Sequence, residues 1–332
     1  MKKKNSKKII QITISIILVT CLLYWTDVEQ FRKAFENAKY TYLFYAVILI
    51  FFNRILMPIK WNLLLQAIDI RIRWFESIRI YFIASFLGVF LPPTIGADAV
   101  RAFHVHKEKY PISDIMSSIL VERLIGLIAL LFFTLLGCFL FIMKFSDVTV
   151  DVSAFFIMLL IFLPVLTGLF FLSLHKRAMS VFERILNRFD RVPFLGRASK
   201  LSKKLLDSYL IYGTRKKILF VFFLLTLLEI TLPIIRSYLV AVSLGVDIPL
   251  VYFFSFVPII LLLIRLPISF DGFGIQEGGF IYFLSFFGVS ATLAFSVGII
   301  NHFVFLLGLL PGAFFYAVSG FKKRQYEYLS PS

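Results

Sequence analysis

The stretch from Arg265 to Gly279, RLPISFDGFGIQEGG, puts three charged side chains, Arg265, Asp271 and Glu277, into a region apolar enough to lie inside a membrane. A charge at that depth costs roughly 2.5–3.5 kcal/mol on insertion scales, so it faces a partner or a cavity. Pro267 and four glycines, Gly272, Gly274, Gly278 and Gly279, argue against one continuous helix. Broken backbone at membrane depth persists only where protein or cavity water satisfies its N–H and C=O groups. A second stretch has the same grammar: Leu91-Pro92-Pro93-Thr94-Ile95-Gly96-Ala97-Asp98, followed by Arg101. Glu122-Arg123 opens a further apolar run, and Glu229 and Arg236 stand seven residues apart in another.

These residue types suit the binding of an ionic head group. A guanidinium stays charged and grips phosphate with two parallel hydrogen bonds, which singles out Arg101, Arg123 and Arg265. Asp98, Glu122, Asp271, Glu277, Glu229 and Arg236 are read as their charge partners or as recognition groups for a cation, and Asp271 and Glu277 also as proton carriers. The alternative is structural pairing: Arg123 with Asp98 or Glu122, Arg265 with Asp271 or Glu277, and Arg236 with Glu229. Glu229 and Arg236 lie about two turns apart, on one side of a helix. No catalytic constellation is expected. GFGIQEGG has Glu277 where a dinucleotide fingerprint needs glycine, and no phosphate-cradling Gly-x4-Gly-Lys loop occurs, so no cofactor is expected. His104 and His106 have no neighbouring ligand cluster in sequence, so no metal is expected either.

The elements that position these residues follow from composition. The chain of 332 residues is 60% hydrophobic, which assigns most of it to lipid contact or helix packing rather than to a soluble core. Its net charge of +16 is concentrated in three flanks: five lysines in residues 1–8, twelve basic against three acidic residues in 175–217, and a basic tail from Lys322. This is the positive-inside pattern and not a nucleic-acid patch, and both termini are placed on the cytoplasmic side of the cell membrane. Cys21 and Cys138 sit in apolar runs and suggest no disulfide. Apolar runs at residues 9–25, 40–57, 113–143, 152–174, 218–240, 250–263 and 291–320 are span candidates. The first is read as an uncleaved helix, with a signal peptide as the alternative. Residues 26–39 form an external loop on this reading, and Arg54 snorkels towards the inner surface. Met179, Phe182, Ile185, Leu186 and Phe189 recur at helical spacing, so segment 175–217 is read either as an interfacial helix on anionic lipid or as a solvated connector.

The expected fold is an all-α polytopic membrane protein, one integral domain over 1–332. It has about six to eight transmembrane helices, counted by span length, and two broken, re-entrant Pro-Gly segments. Residues 1–8 are a basic leader, 40–143 a first repeat, 175–217 the basic segment, 218–320 a second repeat and 321–332 a tail. The broken-helix motifs are Pro92, Pro93 and Gly96 in one half and Pro267, Gly272 and Gly274 in the other. The halves read as inverted, and Arg123 and His302 fall at matching places in their last spans. Inverted repeats with broken segments near the midplane are a recurrent transporter design. Two unrelated Pro-broken helices, or eight full spans with no re-entrant pair, are the alternatives.

Read in order, LPPTIGADAVR, VERLIGL, LPISFDGFGIQE, FGVS and a last span ending LLPG give a pattern. It resembles the flippase-like transmembrane domain of lysylphosphatidylglycerol synthases, also called multiple peptide resistance factors, over roughly residues 10–320. The resemblance implies movement of an anionic or aminoacylated phospholipid, or a lipid-linked glycan, between leaflets. In those two-domain synthases a separate cytoplasmic domain performs lysyl transfer, and it is not expected in this chain. Two alternatives remain: a lipid-modifying transferase of the phosphatidylglycerol lysyltransferase type, and a non-catalytic membrane subunit of such a system. The expected partners are a phospholipid or lipid-linked substrate and anionic lipid at the cytoplasmic face. A second copy of the chain or a lipid-modifying enzyme could join them, and no nucleic acid is expected.

Overall fold

The computed structural model describes residues 28–91, 96–107, 110–144, 150–176, 179–180, 196–266 and 268–318. The helices are α1 (Val28–Glu36), α2 (Tyr40–Ala67), α3 (Trp74–Phe90), α4 (Gly96–Lys107), α5 (Ile112–Lys144), α6 (Val150–Ser173), α7 (Gly196–Ile211), α8 (Lys216–Ser243), α9 (Leu250–Ile264), α10 (Ile275–Ser285) and α11 (Ala291–Leu307). After a turn at Gly308-Leu309, α11 resumes, so its apolar span covers Ala291–Val318. Five helices, α2, α5, α6, α8 and the extended α11, are long and apolar enough to cross a membrane, and α9 is a shorter apolar helix. Among the described residues there is no strand. The chain is an all-α polytopic membrane protein. The leader 1–8, the helix expected at 9–25, the tail 321–332, Pro92, Pro93, Pro267 and most of 179–189 lie outside the described residues.

Several boundaries differ from the sequence expectation. The stretch read as an external loop contains α1, whose exposed Glu29 and Arg32 pair one turn apart. Helix α3 begins at Trp74 and runs 17 residues, so the segment before the first break is longer than its apolar core at 80–91. Gly278 and Gly279 belong to α10 and not to the second break.

Local chemistry accounts for both breaks. Leu91 takes an extended backbone, φ −99° and ψ 169°, as a residue before proline prefers. Beyond Arg265 the chain turns through Asp271, Gly272 and Gly274, with φ of 51°, 81° and 83°. Glycine takes this left-handed region freely and aspartate tolerates it. Two stretches of similar build result. A 28-residue helix, a 17-residue helix, a break, a 12-residue helix and a 33-residue helix make up α2 to α5. The corresponding lengths for α8 to α11 are 28, 15, 11 and 28 residues.

Prolines inside the helices free carbonyls that neighbouring helices then use. Pro233 has no N–H for the carbonyl of Glu229, one turn back, and Asn53 Nδ2 from α2 donates to that oxygen at 3.0 Å. Pro258 frees the carbonyl of Phe254 in the same way, and Gly137 of α5 lies against it. A Cβ added at Gly137 would fall 2.5 Å from the Ser255 oxygen and 2.9 Å from that of Phe254. Small residues permit such close helix approach in membranes. The adjoining core is aromatic: Phe256 stacks on Phe283 at 5.6 Å, and Phe141 meets Phe283 edge-on at 5.8 Å.

A second core surrounds Trp61 and Tyr212 and receives α7. Ser208 Oγ donates to Asp114 Oδ1 at 2.5 Å, Ser173 and Tyr209 share a hydrogen bond of 2.6 Å, and the Tyr212 hydroxyl donates to the Leu64 carbonyl at 2.9 Å. The described end of the basic segment is therefore docked on α5 and the end of α6. Helix α6 itself turns Ile157, Ile161, Phe162 and Leu169 outward, as a lipid-facing helix does.

Gly137→Val is expected to lower stability by about 1–3 kcal/mol, the usual cost of overpacking. Gly168→Ala, on the exposed side of α6 with no heavy atom within 4 Å of the added Cβ, is expected to leave it unchanged. Thermal denaturation in detergent checks both.

Candidate functional site

The two breaks border one cavity of about 500 Å³. Helix α2 contributes Arg54, Met57 and Lys60, α3 Tyr81, α4 Asp98 and Arg101, and α5 Glu122 and Arg123. From the other half come Thr226 and Glu229 of α8, Arg265, Ser269 and Asp271 around the second break, and Phe305 of α11. Five cationic and four carboxylate side chains thus line one space, with one positive charge in excess. At membrane depth such a concentration persists only with internal pairing or a wet interior.

Pairing is tightest beside the first break. Asp98 sits in the first turn of α4, where the helix dipole favours a carboxylate. Arg101, one turn later, donates to Asp98 Oδ1 at 2.5 Å and to Glu122 Oε2 at 2.7 Å. Its guanidinium carbon lies 4.8 Å from the Trp61 ring and 4.6 Å from the Tyr81 ring, close enough for cation–π attraction. Arg123 Nε donates to Asp98 Oδ2 at 2.5 Å, and the Tyr81 hydroxyl donates to Glu122 Oε1 at 3.2 Å. Arg101, Asp98 and Glu122 are buried, whereas the Arg123 side chain keeps 47% of its exposure and remains within reach of a ligand. Gly96 closes this break, because a Cβ there would collide with Leu91.

Across the cavity Lys60 pairs with Glu229, donates to Thr226 Oγ1 at 3.2 Å and lies over the Phe222 ring at 4.8 Å. This corrects the expected pairing of Glu229 with Arg236. The two share a stripe of α8 but stand about 10 Å apart along the axis at 1.5 Å per residue. Arg236 lies outside the cavity and bonds Asn301 Oδ1 at 3.3 Å. Arg54 is buried over the Phe305 ring at 4.7 Å and borders the cavity, so it does not snorkel to the surface.

Glu277 departs from expectation as well. It is fully buried, its Oε2 accepts from the Gly274 amide at 2.6 Å, and its Oε1 meets His302 Nδ1 at 3.2 Å. It caps α10 and ties it to α11, and it does not line the cavity. Phe273 stacks on the His302 ring with centroids 3.5 Å apart. Arg265 pairs with neither Asp271 nor Glu277. It is exposed, borders the cavity and has no carboxylate at ion-pair distance among the described residues.

Of the residues singled out in the sequence, Arg101, Arg123, Arg265, Asp98, Glu122, Glu229 and Asp271 therefore converge on one cavity, and Glu277 and Arg236 do not. Sequence reasoning missed Arg54, Lys60, Tyr81 and Ser269 as lining residues. The available signal was two cations, Arg54 and Lys60, inside one long apolar helix. Among the described residues no group of three His, Cys, Asp or Glu side chains is arranged for a metal. The arrangement can hold an anion on guanidinium and ammonium groups and exchange its internal ion pairs for ligand contacts.

Removing one partner of a buried pair strands the other charge, so Arg101→Met is expected to cost about 3–5 kcal/mol. Arg265→Met, at an exposed position without a counter-charge, is expected to change stability by less than about 0.5 kcal/mol. Chemical denaturation in mixed micelles measures the difference.

The family model for the lysylphosphatidylglycerol synthase TM region matches residues 8–312. The UPF0104 membrane protein PH1989 of Pyrococcus horikoshii is 22% identical over 252 residues, 72% of this chain and 75% of that protein. The UPF0104 membrane protein MJ1595 of Methanocaldococcus jannaschii is 24% identical over 141 residues, 41% of each chain. The family match takes in both breaks and every charged residue that lines the cavity, and the chain belongs to the lysylphosphatidylglycerol synthase TM-region family.

Proposed function

We propose that the chain is a lipid translocator that moves an anionic or aminoacylated phospholipid, or a lipid-linked glycan, between the leaflets of the cell membrane. The observation that carries this reading is the charged cavity bordered by both helix breaks. An ionic head group crosses hydrocarbon only if its charge is met on the way. A cavity of about 500 Å³ suits a head group, within the ordinary range for ligand sites, while the acyl chains stay in the bilayer. Met57, Val89, Ile264 and Leu309 add apolar wall beside the charges, as an amphiphile requires.

The matched helix lengths of α2 to α5 and α8 to α11 support a repeat, and the basic flanks support cytoplasmic termini. On this reading the repeat is inverted, each break is the tip of a re-entrant hairpin, and the tips meet at the substrate path. Arg123 and Arg265, the two exposed arginines of the cavity, are the first contacts for the lipid phosphate.

Leaflet exchange of labelled phosphatidylglycerol and lysylphosphatidylglycerol in proteoliposomes tests this. The wild type is expected to exchange at least one of them. Arg265→Ala and Arg123→Ala are expected to slow exchange roughly 10- to 100-fold, the loss of a hydrogen bond to a charged group. No exchange of either lipid by the wild type would remove phospholipid from the reading.

A further inference from the structure

The charges of the cavity fall into two sets. Arg101, Arg123 and Lys60 have carboxylate partners within the protein. Other polar atoms of the cavity, on α2 and around the second break, are open. Arg54 Nε and Nη2, Ser269 Oγ and Asp271 Oδ2 are buried and have no hydrogen-bond partner among the described residues. Arg54 and Ser269 retain only 7% and 4% of their exposure. All three residues line the same cavity and come from two separate parts of the chain. Buried polar groups are ordinarily satisfied, and those left open call for an explanation.

The surroundings hold these groups in place. The face of the Arg54 guanidinium is over Phe305. Gly308 packs beside it, where a Cβ would collide with Ile50 Cγ1 at 2.6 Å and touch Arg54 Nε at 3.4 Å. Asp271 is held in a left-handed conformation at φ 51°, between Ser269 and the glycine turn. Arg54 and Asp271 carry opposite charges into one cavity and yet form no ion pair. A ligand with both an anion and a hydrogen-bond donor has the chemistry to satisfy both groups.

Resting on the translocation reading for the ligand's being a lipid, we propose that Arg54, Ser269 and Asp271 form the head-group subsite of this cavity. A phosphate oxyanion is taken by Arg54 and Ser269, and an adjoining hydroxyl or ammonium of the same head group donates to Asp271. Arg101, locked between two carboxylates, positions α4 and does not bind the phosphate. The ligand class is a phosphate ester whose alcohol bears a further donor.

The full-length chain in detergent is titrated with short-chain phosphatidylglycerol, short-chain phosphatidic acid, short-chain diacylglycerol and inorganic phosphate, with thermal stabilisation as the readout. Arg54→Met is expected to raise the melting temperature of the unliganded protein, because an unpaired buried charge is removed. It is also expected to weaken phosphatidylglycerol binding roughly 10- to 100-fold. Arg54→Lys keeps the charge without the planar fork and is expected to fold and to bind at intermediate strength. Asp271→Ala, which removes the acceptor, is expected to retain phosphatidic acid binding and to lose the preference for phosphatidylglycerol. Stabilisation by inorganic phosphate as strong as by the lipids supports the subsite and assigns it to a free anion. A lowered melting temperature with unchanged affinity in both Arg54 variants overturns the subsite and makes Arg54 structural. Equal stabilisation by diacylglycerol overturns it also. Exchange assays on the same variants separate the two readings. Wild-type exchange that survives Arg54→Met overturns the subsite alone, and Arg54-dependent binding without any exchange upholds the subsite and overturns translocation.

Discussion

Arg101 lies between Asp98 and Glu122, under the rings of Trp61 and Tyr81, and four helices depend on that one guanidinium. Asp98 and Arg101 belong to α4, Glu122 to α5, Trp61 to α2 and Tyr81 to α3. A charge in an apolar helix bundle needs a partner, and the bonds of Arg101 to Glu122 and of Arg123 to Asp98 fix the short helix against α5. Loss of any partner leaves a buried charge behind, which makes the network strongly interdependent. The cavity lies beside this network.

The second break is also tied to the helix that follows it by a polar pair. Its short helix, α10, contributes the carboxylate, Glu277, and the following long helix, α11, contributes the cation-forming group, His302. In the first half the short helix supplies Arg101 and the long helix Glu122. Each break is thus tied to the span that follows it by side-chain pairing. The two ties differ in what they leave over. Asp98 and Glu122 each have both carboxylate oxygens hydrogen-bonded, whereas Asp271 and Arg54 keep unpartnered atoms at the cavity. Similar scaffolding therefore gives a closed side and an open side.

Proline acts on the same framework from a distance. Pro233 takes the amide partner from the carbonyl of Glu229, and the replacement from Asn53 fixes α2 against α8. That contact brings Lys60 of α2 to the Glu229 side chain. A backbone defect in one helix in this way sets which side chains meet across the cavity.

The sequence by itself determined the membrane class, most of the span positions and the two interrupted stretches. It also showed that Arg101, Arg123, Arg265 and Asp271 sit where charge is costly. These follow from local quantities: the length of an apolar run, a missing proline N–H, the freedom of glycine and the cost of a charge in hydrocarbon. Only the tertiary structure decided the partners. Spacing along α8 favoured Glu229 with Arg236, yet Lys60 and Asn301 took them. Proximity in sequence favoured Arg265 with Glu277, yet His302 holds that carboxylate. Arg54 read as a surface anchor and is a buried wall of the cavity. Electrostatic attraction depends on the separation in space and on the dielectric between the groups. Both are set by which helices adjoin, and helix adjacency is a property of the whole packed chain.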